Sequence, residues 1–312
     1  MRFALALASL ASALALGPVP AAAQDYVLAL EYESSTTGAD GGSSGSSSGR
    51  QAIAERVIAA GSEGIEAEYT LPYDPAKVRG NDRWMFPVRI MVAADGRKTV
   101  LNEPELLARS EAWLAEMKWP REVCSRWTFS WMAYQIRCDP AAAIEVIERY
   151  GMQPGRIAEG QGYALEGALG PVVLARAGEA GGRVILTGSG PVDVAHLREE
   201  AARTALVVAE ISRETLTPEE ARAATAGITA TGTISVTFEV DAQGLVWKRA
   251  ASSEITVTGS AYDDGTRRSE QTVTRLTRAE WERREAEADA ADPMADPNPE
   301  AEAAETRASE AP

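Results

Sequence analysis

The segment from Gly232 to Arg278, GTISVTFEVDAQGLVWKRAASSEITVTGSAYDDGTRRSEQTVTRLTR, constrains the fold more than any other part of the chain. Ile234, Val236, Phe238 and Val240 alternate with polar residues, a turn follows at Asp241 to Gly244, and Ile255 and Val257 open the next strand. Alternation with period two is the signature of a half-buried strand, so the segment predicts a three-stranded antiparallel meander. YVLALEY, near the start, puts Tyr26, Leu28, Leu30 and Tyr32 on one face, with Glu31 and Glu33 on the other. GIEAEYTLP repeats the scheme, with Ile65, Ala67, Tyr69 and Leu71 inward and Glu66 and Glu68 outward. RWMFPVRIMVAADGRKTVL reads as a strand with a turn at Asp95-Gly96, and Pro87 within it predicts an edge or a bulge, because proline cannot donate to a ladder.

Helical spacing dominates the middle. A helix is expected from Asn102 or Glu103 to about Lys118, and another from Pro140 to about Tyr150 with Asp139 as its cap. Glycine-punctuated strands occupy roughly Tyr163 to Gly188. A long helix follows from Val194 to about Ile211, its apolar stripe formed by Val194, Leu197, Ala201, Ala205 and Val208. Thr217-Pro218 then starts a short helix, a cap followed by proline at the first position. Strands at both ends with helices between predict an α+β domain over residues 24–278, either one unit or two sub-domains meeting near 151–190. Its antiparallel, curved sheet is expected to carry helices packed on one side, an arrangement able to enclose an apolar cleft.

Two segments look unable to pack. SSTTGADGGSSGSSSGR, residues 34–50, predicts a floppy Ser/Gly loop. The C-terminal 279–312 carries eleven acidic and three basic residues, a net of −8, and almost no large apolar side chains, so a disordered acidic tail is expected. The whole chain of 312 residues has a formal charge of −15, which disfavours nucleic acid and anionic lipid as direct partners.

MRFALALASLASALALGPVPAAAQ has one positive charge at Arg2, a short Ala/Leu-rich apolar run and Ala21-Ala22-Ala23 before Gln24. This is the plan of a cleavable secretory signal over residues 1–23, and the first cysteine, Cys124, lies too far along for a lipoprotein. No later segment is apolar and long enough to span a bilayer as a helix. The expected location is the periplasm. In an exported protein the only two cysteines, Cys124 and Cys138, are expected to pair. CSRWTFSWMAYQIRC between them alternates like a hairpin, with Trp127 opposite Gln135 and Thr128 opposite Tyr134. Trp127 and Phe129 then point to one face, Tyr134 and Ile136 to the other, so the segment reads as a stapled strand pair covered on both sides rather than an aromatic ligand platform.

Catalytic chemistry is sparsely represented. The single histidine, His196, excludes a multi-histidine metal site, and it sits on the long helix near Glu199 and Glu200, as a solvent-facing histidine paired with a carboxylate would. The G-x-S-x-G pattern at Gly45 to Gly49 arises from the composition of the Ser/Gly segment and lacks the strand-to-helix context of a nucleophile elbow. GSGP, Gly188 to Pro191, reads as a plain turn before a helix. Glu31, Glu33, Glu66 and Glu68 are the best candidates for a hydrolytic carboxylate pair, against a wet sheet face neutralised by Arg50, Arg56 or Arg89. No catalytic, cofactor-binding or metal-ligating residue is assigned, and no cofactor is expected.

EYESSTTGADGGSSGSSSGR, CSRWTFSWMAYQIRCDP and GTISVTFEVDAQGLVWKR resemble segments of an uncharacterised family of exported proteins from Gram-negative bacteria. The resemblance implies a periplasmic location and carries no activity, cofactor or site. The closing meander also resembles the curved sheets of periplasmic lipid and lipoprotein carriers, a likeness of architecture alone. The expected function is that of a non-catalytic envelope protein binding an apolar ligand or a partner protein. The alternatives are a structural or stress-associated periplasmic protein and a carboxylate-dependent hydrolase.

Overall fold

The computed structural model describes residues 25–41, 44–73, 83–129, 133–152, 156–259 and 264–291; the expected signal segment 1–23 and residues 292–312 of the expected tail lie outside these. The alternating segments become β1 (Asp25–Gly38), β2 (Ser44–Gly61), β3 (Gly64–Thr70), β4 (Val88–Ala93) and β5 (Lys98–Val100). Two short ladders follow, β6 (Trp127–Phe129) with β7 (Ala133–Gln135), and β8 (Gly162–Tyr163) with β9 (Val172–Val173). The second half supplies β10 (Ala175–Ala180), β11 (Arg183–Pro191), β12 (Thr229–Val240), β13 (Val246–Thr258) and β14 (Gly265–Thr277). Ten of these strands form one antiparallel sheet, curved but not closed, in the order β10-β11-β12-β13-β14-β1-β2-β3-β4-β5. The predicted meander is β12 to β14, and β14 joins the two halves by pairing with β1 from Tyr26 opposite Thr277 to Gly38 opposite Gly265.

The helices are α1 (Glu103–Glu116), α2 (Ala142–Glu148), α3 (Val194–Ser212), α4 (Pro218–Thr225) and α5 (Arg278–Ala291). Their starts follow from local chemistry. The Asp193 carboxylate accepts the amides of Ala195 and His196, and Thr217 with Glu220 forms a reciprocal capping box ahead of Pro218. One sheet face presents Leu28, Ile53, Tyr69, Ile90, Phe238 and Val273 to side chains from α1, α2 and the loops, including Leu106, Val146, Trp84 and Met85, in one contiguous core. Within α3 the expected stripe is covered only in part. Leu197 and Ala201 pack against the core, whereas Val208 is exposed because the far half of the helix meets β6 instead of the sheet.

Three expectations are corrected. The Ser/Gly segment 34–50 is no floppy loop: β1 extends to Gly38 and β2 starts at Ser44. Side-chain packing was the wrong criterion, since a backbone ladder needs none. Ser34, Ser35 and Thr36 pair with Ser47, Ser46 and Gly45 on one side and with β14 on the other. Tyr32 also lays its ring over Gly49, where an added Cβ would fall 2.5 Å from the Tyr32 hydroxyl. Second, residues 279–291 are not an unstructured tail but the body of α5. Third, the helices do not all pack on one side. Val27, Ala29, Ala52 and Leu276 leave an apolar patch on the opposite face, and α5 covers it with Trp281, which meets Tyr73 edge-on at 5.8 Å. Pro87 ends the approach to β4 and lies outside the strand.

Candidate functional site

Cys124 and Cys138 form the expected disulfide, Cα to Cα 5.6 Å. The hairpin register is the one predicted, Trp127 opposite Gln135 and Thr128 opposite Tyr134. Ile136 and Tyr134 face a small cluster with Leu114, Trp113, Trp119 and Val123. The other face is only partly covered, which corrects the expectation of cover on both sides. The Trp127 amide donates to Glu210 Oε1 of α3 at 3.0 Å, while Phe129 is 62% exposed.

The four candidate carboxylates lie on the face away from the main core, and the fold separates them. Arg56 pairs with Glu68 at 2.6 Å, and Arg89 pairs with Glu66, so two of the three expected arginines neutralise β3. Glu31 and Glu33 stand two strands away on β1, exposed. The buried carboxylate Glu55 is instead sealed in the core against Arg275. The Arg56–Glu68 and Arg89–Glu66 pairs tie β3 to its neighbours β2 and β4.

This uncovered face is rich in hydroxyls. Successive cross-strand rows run Thr231, Thr256, Thr266, Thr37 and Ser189, Ser235, Ser252. Within them Thr256 and Thr266 hydroxyls lie 3.2 Å apart and Ser235 and Ser252 2.8 Å, and beside them Thr229 and Thr258 meet at 2.7 Å. A shallow depression of about 440 Å³ opens at its end, lined by Ser35, Thr37, Glu254, Thr256, Thr266 and Arg268. The G-x-S-x-G residues Gly45 to Gly49 lie on β2 in this region as strand residues. GSGP, Gly188 to Pro191, is likewise strand and not turn. Gly188 and Gly190 face the core beneath Val172, and an added Cβ at Gly188 would fall 2.9 Å from Val172 Cγ2.

His196 does pair with a carboxylate. Its Nε2 lies 3.4 Å from Glu200 Oε1, one turn along α3, while Glu199 turns to Arg222 at 3.2 Å. A third group joins them that the sequence reading missed. Glu166, from the β8–β9 connection, brings its carboxylate into the same spot, so that one ligand atom from each of Glu166, His196 and Glu200 lies within 4.8 Å of the others. Twenty-nine residues of intervening chain hide this convergence from any local pattern. Imidazole nitrogen with two carboxylates is a donor set that can hold a divalent cation.

No protein-family model matches the chain, and no curated protein is similar to it.

Proposed function

We propose that the protein is exported to the periplasm and acts there as a non-catalytic envelope component that docks a partner protein on its uncovered sheet face. The observation carrying this reading is the contrast between the two sheet faces. The apolar face is occupied by the chain's own helices and loops, while the opposite one, beyond the patch of Val27, Ala29, Ala52 and Leu276 that α5 covers, presents hydroxyls and mixed charges across β11 to β14 and the far parts of β1 and β2. A lipid-like ligand gains little on such a surface, whereas a hydrogen-bonded, water-bridged protein contact suits it. Export is supported by the signal-like N-terminus and by a disulfide, which persists in oxidising compartments.

A photo-crosslinking amino acid placed at Ser252 or Thr256, compared with Glu145 on α2, tests the reading in intact cells. Discrete protein adducts from the sheet positions and none from Glu145 are expected. Equal labelling at all three, or none, would favour a purely structural protein. Native mass spectrometry of the purified chain separates the remaining case: a small mass lost on unfolding would mark a carrier and sink the proposal.

A further inference from the structure

We infer that Glu166, His196 and Glu200 form a binding site for a divalent transition-metal cation of the zinc type. The donor atoms fit in kind and in spacing. Zinc takes imidazole nitrogen at about 2.0–2.1 Å and carboxylate oxygen at about 2.0–2.2 Å, which sets ligand atoms about 3.4 Å apart around a tetrahedral ion. His196 Nε2 and Glu200 Oε1 are 3.4 Å apart, and a Glu166 carboxylate oxygen lies within 4.8 Å of both groups. One nitrogen and two anionic oxygens favour zinc and its neighbours over calcium, which collects six or more oxygens.

Electrostatics points the same way. Two carboxylates converge here, and among the described residues no lysine or arginine pairs with either of them. A cation relieves that repulsion. The scaffold is also fixed by backbone bonds. The amide of Asp193, which caps α3 and holds the His196 amide, donates to the Gly167 carbonyl at 2.8 Å. Leu169 donates to the Pro191 carbonyl at 2.8 Å, and Ala168 bridges to Val192. Glu166 is thus stitched to the helix turn that carries His196, so a bound ion would clip the β8–β9 connection to α3. Exposure of both glutamates leaves the fourth coordination position open to water or to a partner's side chain.

Calorimetric titration of Zn²⁺ into the full chain, carrying no histidine tag, tests the site, with the visible absorption of Co²⁺ reporting its geometry. One equivalent bound in the micromolar range is expected. His196→Ala, Glu166→Gln and Glu200→Gln should each weaken binding by about tenfold or more. Their metal-free melting temperatures should stay unchanged, since all three side chains are at least partly exposed. The inference is overturned if Zn²⁺ does not saturate by millimolar concentration. It is also overturned if His196→Ala binds as before, which would place the ions on other carboxylates, or if either glutamine variant keeps full affinity.

Discussion

Arg275 on β14 and Glu55 on β2 form an ion pair across the intervening β1, Nη2 to Oε1 2.9 Å, with side chains 1% and 2% exposed. The Tyr69 hydroxyl donates to the second Glu55 oxygen at 3.4 Å, Arg275 also donates to the Val246 carbonyl, and its guanidinium lies 5.6 Å from the Tyr26 ring centre. Burial pushes the Glu55 carboxyl above its ordinary value while Arg275 pulls it back, and burial raises the Tyr69 hydroxyl well above its own.

Breaking a buried pair strands the remaining charge, at a cost of roughly 3–5 kcal/mol. Glu55→Ala is therefore expected to lose about that much stability in urea unfolding at neutral pH. Replacing both partners with apolar residues, Glu55→Leu with Arg275→Met, should recover most of the loss, because no charge is then left without a partner. A loss below about 1 kcal/mol for Glu55→Ala would mean that water reaches the pair.

Gly188 offers a packing test. Its absent side chain is what lets Val172 and Leu174 lie on β11, at 2.9 and 3.1 Å from the position of an added Cβ. Overpacking of this kind costs about 1–3 kcal/mol, so Gly188→Ala should lower the urea midpoint accordingly. Gly178, on the edge strand β10 with nothing within 4 Å of its Cβ position, is the control. Gly178→Ala should fall within about 0.5 kcal/mol of the parent.

The disulfide predicts a third effect. Cys124 and Cys138 are 14 residues apart, and closing a loop of that size limits the unfolded chain by about 3 kcal/mol in the chain-entropy model. Replacing both by alanine should cost about that amount while leaving the far-ultraviolet circular dichroism unchanged, because the hairpin stands outside the ten-stranded sheet. An unaltered unfolding curve would show that the hairpin does not unfold with the rest.

What could be read from the sequence follows one physical line. Strands with apolar residues on alternate positions, such as Ile234 to Val240 and Ile65 to Leu71, announced themselves because one face meets a core. Ser34 to Gly38 and Ser44 to Gly49 did not, because they pair mostly with each other, and Ser34 to Gly38 also with residues of β14 as polar as themselves, among them Thr266 and Ser269. Helix α5 has a single large apolar anchor, Trp281, too little for a helical stripe. The visible clue was the matching patch: Val27 and Ala29 are apolar in the wet phase of β1. Glu55 carried the inverse clue, a charge in the core phase of β2. The hairpin staple was legible because both cysteines and the alternation lie within fifteen residues. Glu166 was not, since only the tertiary fold brings it to His196.

Stability should depend on pH in two separate windows. Five carboxyls are held below their ordinary values: Asp95 by the Arg97 side chain, Glu199 by Arg222, Glu254 by Arg268, and Glu220 and Glu280 by the backbone amides of Thr217 and Thr277. For each, the unfolded chain takes up its proton first as pH falls. Their contribution is thus full above the ordinary values of 3.8 for aspartate and 4.5 for glutamate, and is lost as pH falls through the depressed folded values. Glu55 runs the other way. Its folded value is raised, so the folded state holds the proton more tightly, and its favourable contribution is full below 4.5 and declines as pH rises from there through the folded value. Below 4.5 Glu55 is protonated whether folded or not, and well above it the other five are ionised in both states, so the two trends do not mask one another. Urea midpoints taken from about pH 3 to about pH 8 should rise from the acid side, peak in the mildly acidic range and then decline. Glu55→Gln removes the only titrating group assigned to the upper limb, so its profile should keep the acid limb and lose the decline. An upper limb that survives in Glu55→Gln would assign it to another group, and a profile flat below 4.5 would show that the five surface carboxyls are too well screened to matter.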